Sequence, residues 1–144
     1  MTQTKDTLNF GDFHDASWCG IHFIDSRSTL LSFRTTNGQK SWILIEGVVS
    51  LNATGLREGN IVFAFELYSD NVQNEELREI LGISEYDSSD YMEKIRRRIA
   101  SSELLVVRIS NSVGGDLCAI CSNVRRLSDD QIWALLSEGE PKRI

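Results

Sequence analysis

Residues 41–68, SWILIEGVVSLNATGLREGNIVFAFELY, form the densest apolar run in the chain, and any fold must bury it. In its second half Ile61, Phe63, Phe65 and Leu67 alternate with Val62, Ala64, Glu66 and Tyr68. A period of two is strand geometry, so four large apolar side chains are expected on one covered face. The first half is apolar on both sides, with Ile43, Ile45, Val49 and Leu51 against Trp42, Leu44 and Val48, which suits a strand inside a sheet. Glu46 and Gly47 interrupt it, and a glycine within a strand pattern marks a bulge or a close backbone approach. Gly55 and Gly59 fall in the polar stretch 52–60, which is predicted as a hairpin connection.

Two shorter strands precede this pair. Residues 18–25 alternate, with Cys19, Ile21 and Phe23 on one side, and residues 29–35 place Leu31 and Phe33 toward the core. Asn37-Gly38 between 29–35 and 41–51 predicts a type I′ hairpin turn, so four strands form an antiparallel meander. After Tyr68 the period changes. Leu77, Ile80 and Leu81 predict a helix over 74–81 stopped by Gly82. Asp87, Ser88 and Ser89 offer caps for a second helix through about Ser101, with Tyr91, Ile95 and Ile99 on one side. Strands over 103–110 and 116–124 follow, broken by Gly114-Gly115. Ser128 with Gln131 then makes a capping box for a last helix whose apolar side is Ile132, Trp133, Leu135 and Leu136, closed by Gly139 and Pro141. The expected fold is α+β in the order ββββααββα, about six antiparallel strands in one sheet with three helices mainly on one face.

A chain of 144 residues is the size of one domain, with residues 1–12 expected as a flexible arm. The sequence has no long apolar run for a membrane span and no apolar targeting segment after Met1, which predicts a cytoplasmic protein. Three cysteines, an odd number without a secretory signal, predict free thiols rather than a disulfide framework. The net charge of −6 is uneven. Residues 1–90 carry 14 acidic and 6 basic side chains, net −8, and residues 91–144 carry 7 and 9, net +2. An acidic total disfavours nucleic acid and suits a basic partner.

Four clusters invite a chemical role. Cys118-Ala-Ile-Cys121 has the spacing of a zinc or redox pair, but residues three apart on a strand point to opposite faces, so no metal or cofactor is expected. His14, Asp15 and Cys19 are the weak catalytic candidates, as base, orienter and nucleophile of a small-ligand or hydrolase-type pocket, although neighbours in an extended segment diverge. Lys94, Arg96, Arg97 and Arg98 spread around a helix by about 200 degrees, a solvated face rather than a phosphate track. The acidic stretch upstream is expected to counterbalance them, and Glu75, Glu76, Glu79, Glu85 and Asp87 are the candidate surface for a basic protein. Trp18 and Trp42 are expected on the less covered face, where they could join a homodimer.

Phe13-His14-Asp15-Ala16, the Asn-Gly hairpin, Ile45-Glu46-Gly47-Val48 and Gly59-Asn60-Ile61 together resemble the opening of several families of small bacterial proteins, some grouped with the immunity proteins of toxin systems. The resemblance covers residues 13–68. It implies a non-enzymatic bacterial protein and carries no active site with it.

Overall fold

The computed structural model describes residues 13–57, 59–69, 72–83 and 89–138. The predicted N-terminal arm, the caps Asp87 and Ser88, and Gly139 with Pro141 lie outside them. Eight strands and three helices occur among the described residues: β1 (Ser17–Asp25), β2 (Ser28–Arg34), β3 (Lys40–Glu46), β4 (Ser50–Thr54), β5 (Val62–Tyr68), α1 (Asn74–Leu81), α2 (Ser89–Ala100), β6 (Leu105–Asn111), β7 (Asp116–Cys121), β8 (Asn123–Leu127) and α3 (Asp129–Glu138). The α+β class is as expected. The single sheet is not: the strands form two four-stranded antiparallel sheets, in the orders β1-β2-β3-β8 and β4-β7-β6-β5.

The division happens at one corner. The run predicted as one strand over 41–51 bends at Gly47, and the run over 116–124 bends beside it at Ser122, so both chains pass from one sheet to the other together. Ser122 N–H donates to the Glu46 carbonyl at 3.0 Å and Val49 N–H to the Ile120 carbonyl at 2.8 Å, which keeps the ladder bonded through the bend. Gly47 takes φ +63, and a Cβ there would lie 1.9 Å from Ser122 Oγ. The opposite edge is stitched as well. Val62 N–H donates to the Ala16 carbonyl at 2.8 Å and Trp18 N–H to the Asn60 carbonyl at 2.9 Å, so the start of β1 leans on the start of β5.

Between the sheets lies the main core, with Trp18, Leu31, Phe33, Ile43 and Ile45 from the first sheet against Val62, Leu67, Val107, Ile109 and Ala119 from the second. Phe33 is its aromatic centre, with ring centroids 4.5 Å from Trp18, 4.9 Å from Phe13 and 6.2 Å from Phe65. Each such fully buried side chain contributes about 1.5–3 kcal/mol relative to exposure. The Trp18 indole N–H is satisfied by Asn111 Oδ1 at 2.8 Å. Trp18 is therefore a core residue at 4% exposure, contrary to the surface role expected for it, and Trp42 is half-buried near α3.

Helices cover both outer faces. On the second sheet, Leu77 and Ile80 of α1 and Met92, Ile95 and Ile99 of α2 pack on Val106 and Ile120. On the first, Ile132 of α3 packs on Leu30, Leu44 and Leu127. The capping box of α3 forms as predicted, Gln131 N–H to Ser128 Oγ at 3.3 Å and Ser128 N–H to Gln131 Oε1 at 2.8 Å. Gly82 ends α1 in the left-handed region at φ +67.

Three finer expectations are corrected. The register of β5 shifts between Val62 and Ala64, so Val62 joins Phe65 and Leu67 toward the core while Ile61 and Phe63 stand exposed. In α3 Trp133 and Leu136 are exposed, and Tyr91 of α2 is exposed where Met92 is buried. The turn at Asn37-Gly38 is not type I′, because only Gly38 has positive φ, and it closes through Gly38 N–H to the Thr35 carbonyl. No described helix is long and apolar enough to cross a membrane.

Candidate functional site

The richest set of interacting polar side chains lies on the outer face of the second sheet, beside α1. Strand pairing sets Glu66 of β5, Arg108 of β6, Cys118 of β7 and Asn52 of β4 in one cross-strand row. Alternation that turns Val107 and Ile109 into the core forces Arg108 outward, under α1. There its Nη1 meets Glu76 Oε1 at 3.2 Å and its Nη2 meets Glu79 Oε1 at 3.3 Å. Tyr68, next along β5, donates its hydroxyl to Glu76. Asn52 donates its amide to the Ile80 carbonyl near the end of α1. One guanidinium thus ties two carboxylates of a helix to a strand below.

The electrostatics follow from this geometry. Burial pushes the Tyr68 hydroxyl well above its ordinary range, and its bond to the Glu76 carboxylate adds to the rise. Burial also raises the Cys118 thiol, partly offset by the Arg108 guanidinium nearby. A raised thiol keeps its proton at neutral pH, which works against nucleophilic use. Cys121 faces the main core, its pKa pushed up by burial to about 12. The two cysteines therefore face opposite sides of β7, as strand geometry required, and no group of three or more candidate metal ligands occurs among the described residues.

On this surface Glu66, Glu75, Glu76, Glu79 and Asp116 outnumber Arg78 and Arg108 by five to two. On α1 Glu75 and Glu79 lie away from Leu77 and Ile80, Glu75 exposed and Glu79 at 71% exposure, while Glu76 flanks the buried side and is half-buried against Arg108. Of the expected partner-binding set the structure brings Glu75, Glu76 and Glu79 together on this helix, while Glu85 and Asp87 lie outside the described residues. Sequence reasoning missed Arg108 and Tyr68. Their signal was there only as a charge and a phenol on the polar side of two alternating strands, which becomes readable once the strands are paired.

His14 and Asp15 sit in the turn that closes β1 on β5. Asp15 takes φ +67, its N–H donates to the Val62 carbonyl at 2.9 Å, and His14 Nδ1 donates to the Phe63 carbonyl at 2.8 Å. His14 Nε2 lies 3.8 Å from Asp15 Oδ1, both side chains about 60% exposed. The pair is adjacent after all, because the turn reverses the divergence expected of an extended segment. Cys19 does not join it. The register of β1 shifts between Trp18 and Gly20, leaving Cys19 as the extra residue of the bulge, and its thiol approaches the Ser17 carbonyl at 3.9 Å. The small cavity beside β1, of about 90 Å³, is lined by Trp18, Gly20, Ile21, Leu56 and Arg57 rather than by these three. His22 is exposed on the same strand.

The basic run of α2 is balanced from its own neighbourhood. Arg96 pairs with Glu93, Arg97 Nε with Glu93 Oε1 at 3.2 Å, and Arg98 with Glu103 at 3.2 Å. Of the acidic stretch expected to do this, Glu76 and Glu79 are engaged by Arg108, and Asp70, Glu85 and Asp87 lie outside the described residues. Comparison with protein-family models, with characterised proteins and with solved structures finds no match for this chain.

Proposed function

We propose that the chain is a non-enzymatic binding protein of the cytoplasm, comparable to an immunity-type inhibitor, that docks a basic protein on the carboxylate surface of α1 and the second sheet. The observation that carries this reading is the ratio on that surface, five carboxylates to two guanidiniums, with α1 fixed to the sheet by Arg108. A surface that stays net negative after its internal pairing attracts a cationic partner and raises its association rate. Anchoring matters too. Carboxylates held on a docked helix lose less conformational entropy on binding than carboxylates on a free segment.

The test is an affinity capture from bacterial lysate with the native chain and with Glu75→Lys/Glu79→Lys, at about 50 mM and about 500 mM salt, where exposed charges are screened to very different degrees. The reading predicts a basic protein that the native chain holds at low salt, releases at high salt, and that the variant does not hold. Capture indifferent to both salt and variant would contradict it, as would turnover of a small substrate by the purified chain.

A further inference from the structure

A second feature stands apart from the acidic surface. Where β5 ends, a groove of about 370 Å³ opens against α2, with Ser69, Val72 and Ile99 beneath and Glu93, Arg96 and Arg97 along its rim. That volume lies at the small end of ligand sites. Val72 and Ile99 are buried, so the floor is apolar apart from one group. Ser69 is that group. Only 5% of it is exposed, it lines the groove, and its side chain makes no hydrogen bond to another described residue. The Ser69 hydroxyl is not among the buried side-chain atoms cut off from solvent, so it reaches the open groove, where it can donate to a ligand atom or a water.

The rim supplies the matching charge. Arg96 and Arg97 both donate to the single Glu93 carboxylate, one through Nη2 and the other through Nε. A guanidinium carries five N–H donors, so most of the donors of this pair remain available in an open groove. The Arg96 guanidinium beside Glu93 holds its carboxyl below the usual range, so one negative charge faces two positive ones at neutral pH. Lys94 on the same helix adds to the local positive field, Asp90 opposes it, and Arg98 is offset by its pair with Glu103. In a chain of net charge −6 this is a local cationic site that depends on contact rather than on the whole-molecule field.

We infer that the groove between the end of β5 and α2 binds a small oxyanion, a carboxylate or a phosphate, with Arg96 and Arg97 receiving its charge and Ser69 donating to it. The two anions are told apart by shape: a carboxylate carrying a short alkyl chain places that chain on Val72 and Ile99, whereas inorganic phosphate uses only the polar groups.

The experiment titrates the uniformly ¹⁵N-labelled full chain with inorganic phosphate, with butyrate and with butyramide at constant ionic strength. At least one of the two anions is expected to give saturable shifts at Ser69, Arg96 and Arg97 with Kd of about 1–10 mM, and butyramide none, because the charge-assisted bonds supply about tenfold or more. Phosphate tighter than butyrate assigns a phosphate site, and the reverse assigns a carboxylate site. Ser69→Ala should weaken the tighter anion about threefold, the scale of one neutral hydrogen bond. Shifts that rise linearly with both anions, or butyramide binding as well as butyrate, would overturn the inference, and both comparisons use the unaltered protein. Arg97→Gln, at a side chain 79% exposed and so tolerable to the fold, should also weaken binding, and an unchanged Kd would overturn the role given to the rim.

Discussion

Gly47 is the residue at which two constraints meet. Its φ of +63 already disfavours any side chain, and Ser122 Oγ occupies the place where a Cβ would stand. Gly47→Ala is expected to cost at least about 2 kcal/mol by urea denaturation, and Gly47→Ala/Ser122→Gly to recover the steric part but not the backbone part. An unchanged midpoint in the single variant would contradict the close approach. A second prediction concerns pH. The Cys121 thiol is pushed from its ordinary 9.0 to about 12, and Cys118 and Tyr68 are raised also, each first by burial. In each case the native state keeps a proton that the unfolded chain releases earlier. Their contribution to stability is therefore complete below about pH 8 and lost as pH rises through the native values. Denaturation between pH 7 and 11 should show stability falling above pH 9, more gently in Cys121→Ala, and an equal slope in that variant would contradict the assignment. At this scale the sequence was readable where chemistry is local. A glycine interrupting a strand signalled close approach, and the CxxC spacing on a strand signalled opposite faces. Arg108 was not readable, because its partners lie 29 and 32 residues away.

Elements were legible to the extent that their regularity held. The helix over 74–81 and the capping box at Ser128 stand where local signals placed them, since caps and helical spacing involve residues within one turn of each other. The face of β5 went the other way. Strict alternation from Ile61 to Leu67 assumed an unbroken pleat, and the shift at Val62/Ala64 turns Phe63 out and Phe65 in. In α3 the apolar side is wider than the sheet contact, so Ile132 is buried at 6% exposure while Trp133 stands at 72%. The consequence is a sharp contrast between neighbours. Ile132→Ala is expected to lower stability by about 2–4 kcal/mol. Trp133→Ala should stay within about 0.5 kcal/mol. Calorimetric or urea unfolding of both variants checks this, and a larger loss for Trp133→Ala would mean that α3 lies on the sheet in another rotation.

For the whole molecule, the sequence indicated extended segments roofed by amphipathic helices but not how the strands divide. A run apolar on both sides, such as 41–51, reads the same whether it is a central strand or two strands whose faces meet different layers. Gly47 and Ser122 bend two such runs at one level, and that long-range coincidence produces two facing sheets with helices on both outer sides. This arrangement leaves the carboxylates of α1 fixed over β6 and opens the groove at α2. Its most direct test is the contact between the rings of Phe33 on β2 and Phe65 on β5, whose centroids are 6.2 Å apart across the interface between the sheets. Nuclear Overhauser spectra of selectively labelled protein should show cross-peaks between these two rings; their absence, with both strands formed, would contradict the two-sheet account.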